Sequence, residues 1–571
     1  MYDSNRRFPG PAAVLIGIAA LSIFCSTARS GGGGRPEAVH HVLKVRIDHK
    51  KKVLWGDCTI EFRGAKRDKD AVLDFEFLVG KIEKVLLDGE ETSRYEYKPC
   101  FGLSPELTRR YDLKRFTVTV PSRIASRKTF HLRVLYSDEE FYGTVDSPED
   151  DKPFSLGQIT ASNAFSSHIH YYPFIRYAGK RGDIQLSTNL PDATAITSGE
   201  LVKVTSGPSG FRTFHYRSAS GSGLLPYPFA IARYGRLEKT ASDGKTKLEI
   251  YFMPGGKRFA EQKMPVVQDI FTRYLELFGE YPFPKMAIVE IDLREGNIGL
   301  AAQSVIFLSR RVWFSRDLDL QRTGLTNRAL YVLADEMNHQ WNAYKVSTPN
   351  YLAEGISRYV DSLYGETLGG FDTLRDHMIQ TASSYFHLIL NTKVRDKPVT
   401  DPTVTPAIYF IKGAMALHML RKTLGFDVFK KGLRNYFTGY AGKVTALKDF
   451  QSAFEKASGR DLTWFFKQWY NRAGWPDLSV KWSAGKDGDA WTLGVDVIQK
   501  QGLHYRLERF PIHVQYDDSK PEIRHVCIRK KKRQRIEIRL DRKPVKVLFD
   551  PDGWFLRKIK VRYGARAKSA E

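Results

Sequence analysis

Apolar and polar residues alternate along Val42-Leu43-Lys44-Val45-Arg46-Ile47 and Phe116-Thr117-Val118-Thr119-Val120. That two-residue period predicts strands with one buried face. Leu132-Arg133-Val134-Leu135-Tyr136 is also strand-like, and Gly, Pro, Asp and Asn punctuate the segments, so residues 38–237 read as a β domain. Near Pro254 the period changes. Val267, Ile270, Phe271, Tyr274, Leu275 and Phe278 recur at helical spacing, and Tyr281-Pro282-Phe283-Pro284 ends the helix. A strand over 286–291 and an apolar stretch over 304–308 follow. Helices are then predicted over 326–344, 351–364, 368–384, 407–424, 426–438, 447–458 and 462–472. After Gly474-Trp475-Pro476 strict alternation returns in Leu478–Trp482, Trp491–Val497, Ile512–Tyr516 and Ile536–Leu540, the pattern of a β-sandwich over 476–562. No internal repeat is visible, and 563–571 reads as a tail.

At 571 residues, core burial is not limiting. Arg6 and Arg7 precede an apolar run from Ala12 to Cys25, followed by small-x-small sites around Ala28 and a glycine linker, 31–37. This is the layout of a secretory signal over 1–30, too short for a membrane anchor, and it implies a secreted or periplasmic protein. Phe24 disfavours lipid attachment at Cys25, because that position normally needs a small residue. Three cysteines follow the signal: Cys58, Cys100 and Cys527. Cys58 and Cys100 could pair in an oxidising compartment, or both could be buried thiols. The net charge of +25 allows contact with an anionic envelope surface. Its densest run, Arg529-Lys530-Lys531-Lys532-Arg533, reads as a solvated hairpin tip. No nucleic-acid-binding motif is present.

The chemistry concentrates in Leu333-Ala334-Asp335-Glu336-Met337-Asn338-His339-Gln340-Trp341. This is H-E-x-x-H with its first histidine replaced by aspartate. In the intact pattern, histidines at i and i+4 share a helix face and hold zinc, and the glutamate between them acts as general base. Asp335 and His339 keep that spacing, Glu336 keeps the base position, and Glu354, opening the next helix, is the candidate third ligand. His168 and His170 alternate as on a strand face and read as a surface pair or as replacement ligands.

Several further motifs stand in order along the chain. Asp335–Trp341 matches H-E-x-x-H-x-W apart from its first residue. Tyr351-Leu352-Ala353-Glu354-Gly355 matches W-L-x-E-G, and Phe410-Ile411-Lys412-Gly413-Ala414 through Leu420-Arg421 matches Y-x-K-G-A…L-x-x-L-R. Together they resemble the aminopeptidase N family of gluzincin-type zinc metallopeptidases. The resemblance implies a multidomain α+β fold: an N-terminal β saddle (38–237), a thermolysin-like, mostly helical peptidase domain (238–475) and a C-terminal β-sandwich (476–562). It implies zinc held by Asp335, His339 and Glu354, with Glu336 as general base and a peptide or protein ligand; oligomeric state is left open.

The departures from the family carry equal weight. Aspartate at 335 weakens the positive charge a bound zinc could exert. The spacing from His339 to Glu354 is shorter than the family's; counted strictly it ends on Arg358, a cation that cannot ligate. Phe410 stands where the family has the tyrosine that stabilises the oxyanion, and losing such a donor costs about 10²–10³ in rate. The family's amine-anchoring G-x-M-E-N strand is only echoed in Glu295-Gly296-Asn297-Ile298-Gly299-Leu300, which makes Glu295, Asn297 and Gly299 the candidate substrate-binding residues. The sequence thus predicts a degenerate centre that is weak or inactive as an aminopeptidase, with an active Asp335/His339/Glu354 zinc hydrolase as the alternative.

Overall fold

The computed structural model describes residues 36–77, 80–99, 114–139, 141, 144–146, 153–155, 157–166, 171–174, 181–219, 227–293, 299–314, 328–488, 490–517 and 520–563. The expected signal segment, Cys25, Cys100, His168, His170, Glu295 and Asn297 lie outside these residues. The chain divides into two compact units. One runs to Ala353 and includes Phe437–Ala446; the other comprises Glu354–Tyr436 and the residues from Leu447 onward.

The first unit begins with an eight-stranded sheet. Its spatial order is Glu200–Ser206, Arg212–Ala219, Arg181–Thr188, Glu37–Asp48, Val53–Arg63, Thr129–Asp138, Lys81–Leu87 and Glu90–Glu91. Glu37–Asp48 and Arg181–Thr188 pair in parallel, with Leu43 opposite Ile184 and Val45 opposite Leu186. The alternation read from the sequence decides which face is buried. Leu43, Val45, Ile47, Cys58, Ile60 and Phe62 share a core with Phe75, Phe77, Phe116 and Val118 of a three-stranded sheet. Phe77 meets Tyr136 edge-on at 5.2 Å, a favoured aromatic geometry. Cys58 is a free thiol inside this core.

The same unit then builds a five-stranded mixed sheet in the order Gly235–Thr240, Lys247–Phe252, Lys285–Ile291, Val305–Ser309, Gly299–Ala302. Its middle strand, Lys285–Ile291, is buried throughout, as parallel strands covered on both faces are. Gly299–Ala302 is an antiparallel edge, joined to Val305–Ser309 by the two-residue turn Gln303-Ser304, where Ser304 takes φ 62°. The helix Lys257–Phe278 ends at Gly279, whose φ of 76° suits glycine. A second helix, Arg328–His339, passes into a π-helical stretch, Gln340–Lys345, where the sequence pattern predicts one continuous α-helix.

The second unit holds a helical layer and a β-sandwich. The two helices predicted over 351–364 and 368–384 lie within one helical run, Asn350–Asn391, broken at Gly370, whose φ of 72° and ψ of −175° suit only glycine. Pro406–Leu424, Leu447–Ser458 and Thr463–Trp469 follow close to their expected bounds. The sandwich has a four-stranded sheet (Arg533–Leu540, Ala490–Gln499, Asp477–Asp487, Lys558–Tyr563) and a three-stranded sheet (Glu522–Ile528, Leu507–Gln515, Lys546–Phe549). The basic turn at 529–532 is not a hairpin tip. The strands before and after it belong to different sheets, so it is a crossover whose charges still face solvent.

Candidate metal centre

The helix Arg328–His339 is buried on every side from Leu330 onward, so its polar residues do not form a solvated face. Asp335 is 0% exposed, Glu336 2% and His339 9%. Ligand-type atoms of these three residues lie within 4.8 Å of one another. Asp335 Oδ2 is 3.4 Å from His339 Nε2, the one-turn neighbour that i,i+4 spacing dictates.

The orientation of His339 follows from Asn342, one turn further on. Asn342 Nδ2 donates to the carbonyl of Ala353 at 3.0 Å and to Asn338 Oδ1. A backbone carbonyl can only accept, so this end of the amide must be the nitrogen. Its oxygen therefore faces His339 Nδ1 at 3.0 Å, and Nδ1 carries the proton. That tautomer turns the Nε2 lone pair toward Asp335. Neither carboxylate oxygen of Asp335 receives a hydrogen bond. The Asp335 carboxylate is thus a buried acceptor without a donor, and a cation would satisfy it: a proton on the neighbouring Nε2 or a metal ion. The donor set fits a divalent metal such as zinc, with an Asn342–His339 hydrogen bond of the kind that orients metal-binding histidines.

The π-helical turn after His339 ties the centre to its surroundings. Gln340 spans the Gln303-Ser304 turn, donating from Nε2 to the carbonyl of Ala302 (2.9 Å) and accepting at Oε1 from the amide of Ser304 (2.8 Å). Trp341 Nε1 donates to the carbonyl of Gly279, and its ring packs among Phe271, Tyr274, Phe278 and Tyr281. The edge strand is thereby held against the helix. A Cβ on Gly299 would lie 2.5 Å from Glu336 Cγ and 2.8 Å from its Oε1, so only glycine allows this approach.

In the second unit, Glu354 is buried, the fifth residue of the helical run Asn350–Asn391. A Cβ on the next residue, Gly355, would lie 2.9 Å from Gly413 Cα, so the glycines of the two later motifs form one close helix crossing. Lys412 is wholly buried. It donates to the carbonyls of Arg472 and Gly474 at 3.1 Å and lies 3.6 Å from Asp396, and burial lowers its pKa to about 8. It anchors the helix to the chain entering the sandwich. Phe410 stacks on Tyr409 at 5.6 Å and has no hydrogen-bond donor to offer.

Among the sequence-predicted residues, the structure gathers Asp335, Glu336 and His339 and sets Gly299 against Glu336. Glu354 and Phe410 lie in the other unit. Asn342 and Gln340 were not singled out from the sequence, although two amide residues within a run of buried positions are such a signal.

Residues 262–469 match the model of the Peptidase family M1 domain. This stretch of the chain is similar to the M1 peptidase domain. Aminopeptidase N of Escherichia coli (strain K12) is 26% identical over 294 residues, 46% of this chain and 32% of that protein. Aminopeptidase N of Lactococcus lactis subsp. lactis is 23% identical over 363 residues, 60% of this chain and 38% of that protein. Aminopeptidase M1 of Arabidopsis thaliana is 26% identical over 324 residues, 53% of this chain and 34% of that protein. The matches thus span about a third of the length of these relatives. Aminopeptidase A of Legionella pneumophila, solved in complex with aspartic acid, has a similar fold at a TM-score of 0.70 and 14% identity, covering 94% of this chain and 61% of that one. The expected order of β-rich region, helical M1 domain and C-terminal β-sandwich is the observed one.

Proposed function

We propose that this chain is an aminopeptidase N-like metallopeptidase homologue that retains a divalent-metal and peptide-binding centre but has lost most aminopeptidase turnover. The observation that carries this reading is the Asp335–His339 pair: a buried carboxylate without donors faces a histidine lone pair, which suits cation binding but replaces a neutral ligand by a charged one. Asp335 and His339 would hold zinc, and the family resemblance alone assigns the third ligand position to Glu354. A bound zinc would polarise a substrate carbonyl and acidify water, and a second carboxylate ligand weakens both effects. Glu336 would take and return the proton. Phe410 offers no donor to a developing oxyanion. The family's G-x-M-E-N, laid on the observed edge strand, runs Gly299-Leu300-Ala301-Ala302-Gln303 and has alanine in the glutamate slot. On this reading the anchor for a substrate amine is also reduced. We further infer export through the N-terminal 1–30 segment, which N-terminal sequencing of the mature protein would test.

The second reading, a working zinc hydrolase, is favoured by the burial and mutual proximity of Asp335, Glu336 and His339. One experiment separates the two. The purified chain is exposed to zinc, dialysed, and assayed for metal content, peptide binding and hydrolysis of aminoacyl reporters. Stoichiometric zinc lost in Asp335→Ala is expected, with turnover at least 10²-fold below the typical enzyme value of about 10 s⁻¹. Turnover near that typical value, abolished by Glu336→Gln, would establish the hydrolase instead.

A further inference from the structure

The solvent face of the eight-stranded sheet carries a cleft of about 320 Å³, at the lower end of the size range of small-ligand sites. The strand register builds it. Arg46 stands opposite Trp55 on one neighbouring strand, and Lys44 stands opposite Asp57 on that strand and Gln185 on the other, so these five side chains share one outward patch.

The charges in the patch are unequally satisfied. Asp57 is held bidentately by Arg133, with both contacts at 2.8 Å. Glu83, at the cleft's edge, accepts from Ser137 at 2.7 Å and pairs with Lys81 at 2.9 Å. The cations are less completely paired. The Arg46 guanidinium lies 4.1 Å from the centre of the Phe211 ring and 5.8 Å from that of Trp55, and makes no hydrogen bond among the described residues. Lys44 Nζ is 3.9 Å from Asp57, beyond hydrogen-bond length. Beneath the patch, the buried hydroxyl of Tyr136 has no hydrogen-bond partner, and its ring occupies the space that a side chain at Gly56 would fill. The cleft therefore presents the Arg46 guanidinium and the Tyr136 hydroxyl without acceptors, and Lys44 in only a long ion pair, beside Trp55.

That combination fits a ring with an apolar face, hydroxyl groups and one anionic substituent. We propose that this cleft binds an acidic sugar residue of a polysaccharide, with its carboxylate or sulfate on Arg46 and Lys44 and its ring against Trp55. The site lies outside the M1 domain and does not depend on the metal centre. A planar guanidinium placed 4.1 Å over an aromatic ring is suited to bidentate recognition of an oxyanion.

The test is isothermal titration of the full chain with alginate oligosaccharides, chondroitin sulfate oligosaccharides, neutral dextran oligosaccharides, polyglutamate and single-stranded DNA. Saturable binding of alginate or chondroitin sulfate is expected; binding of alginate shows that a carboxylate suffices, and binding of chondroitin sulfate alone assigns the sulfate. Dextran should not bind. Trp55→Ala and Arg46→Met should each weaken binding roughly tenfold or more, equivalent to about 1.4 kcal/mol. Trp55→Phe should retain binding, and Lys530→Ala in the exposed basic crossover should leave it unchanged. Unaltered melting of each variant separates recognition from folding. No saturable binding, equal affinity for polyglutamate or DNA, or indifference to Trp55→Ala would overturn the proposal.

Discussion

Replacing Asp335 by asparagine tests the electrostatic logic of the metal centre directly. The side chains are close in volume, so packing at this fully buried position is little changed. Hydrogen bonding changes completely. In the metal-free protein the aspartate presents acceptors to His339 Nε2 at 3.4 Å and receives no donor. An unsatisfied buried acceptor costs about 1–3 kcal/mol, and a new buried hydrogen bond contributes a net ~0.5–1.5 kcal/mol. Asparagine can turn its Nδ2 toward Nε2. In EDTA, Asp335→Asn is therefore expected to be more stable than the wild type by roughly 1–3 kcal/mol.

Zinc should invert that order. A metal bound only by the folded chain stabilises it by about 2.7 kcal/mol at 100 times its Kd, and a neutral amide is a poor replacement for a carboxylate ligand. Urea unfolding followed by the fluorescence of the nine tryptophans, with EDTA and with zinc, measures both differences. The reasoning is refuted if Asp335→Asn is the less stable protein in EDTA. His339 would then already donate from Nε2, and the pair would be an ordinary internal ion pair. It is equally refuted if zinc stabilises both proteins alike.

Three further outcomes are expected. Gly299→Ala drives a methyl group into Glu336 at 2.5 Å and should destabilise the first unit by about 1–3 kcal/mol while leaving zinc content intact, as read by thermal melting and metal analysis. Lys263 is buried against Phe259 and Trp313, and burial lowers its pKa to about 7 from 10.5. Below pH 7 it is charged in both folded and unfolded chains and carries the full burial cost; as pH rises through 7 the folded lysine loses its proton first and the wild type gains stability. Lys263→Met should therefore be the more stable protein at pH 6, by roughly 1–3 kcal/mol, with an advantage that shrinks toward pH 10 in parallel denaturation series. Asp335→His combined with Phe410→Tyr should raise Glu336-dependent hydrolysis of aminoacyl reporters by about 10²-fold or more over either single variant, given what one oxyanion donor contributes.

Much of the fold was legible because the buried faces follow simple periods. Alternation in Val42–Ile47 and Leu478–Trp482, and the helical stripe from Val267 to Phe278, each specify one inward face, and the elements formed there. Three details were not legible, each for a physical reason. The break at Gly370 depends on a backbone conformation that sequence period does not encode. The π-helical turn at Gln340–Lys345 holds four buried residues, Gln340, Trp341, Asn342 and Lys345, whose partners come from distant parts of the chain, a matter of tertiary contact. The basic run at 529–533 has the composition of a hairpin tip, but its flanking strands pair with different neighbours. At the metal centre, sequence gave the i,i+4 pair but not the Asn342 bond that fixes the histidine tautomer.

The family-pattern residues that were kept and those that were changed divide by task. Trp341 fills an aromatic core, Gly355 and Gly413 permit a helix crossing, and the buried Lys412 donates to two backbone carbonyls and pairs with Asp396. Removing any of them would cost folding energy through a lost contact, a steric clash or an unpaired buried charge. The departures at 335 and 410, and the alanine at 302 on the edge-strand reading, fall where the family pattern places groups meant for a metal or a substrate. At Asp335 the change even leaves the folded protein with a buried carboxylate that its own residues do not satisfy. A chain selected for stability alone would have little reason to keep a carboxylate there beside a lone pair, when an asparagine or an apolar residue would relieve the conflict. The buried, donor-free carboxylate one turn from His339 is the physical argument for the cation proposed at position 335.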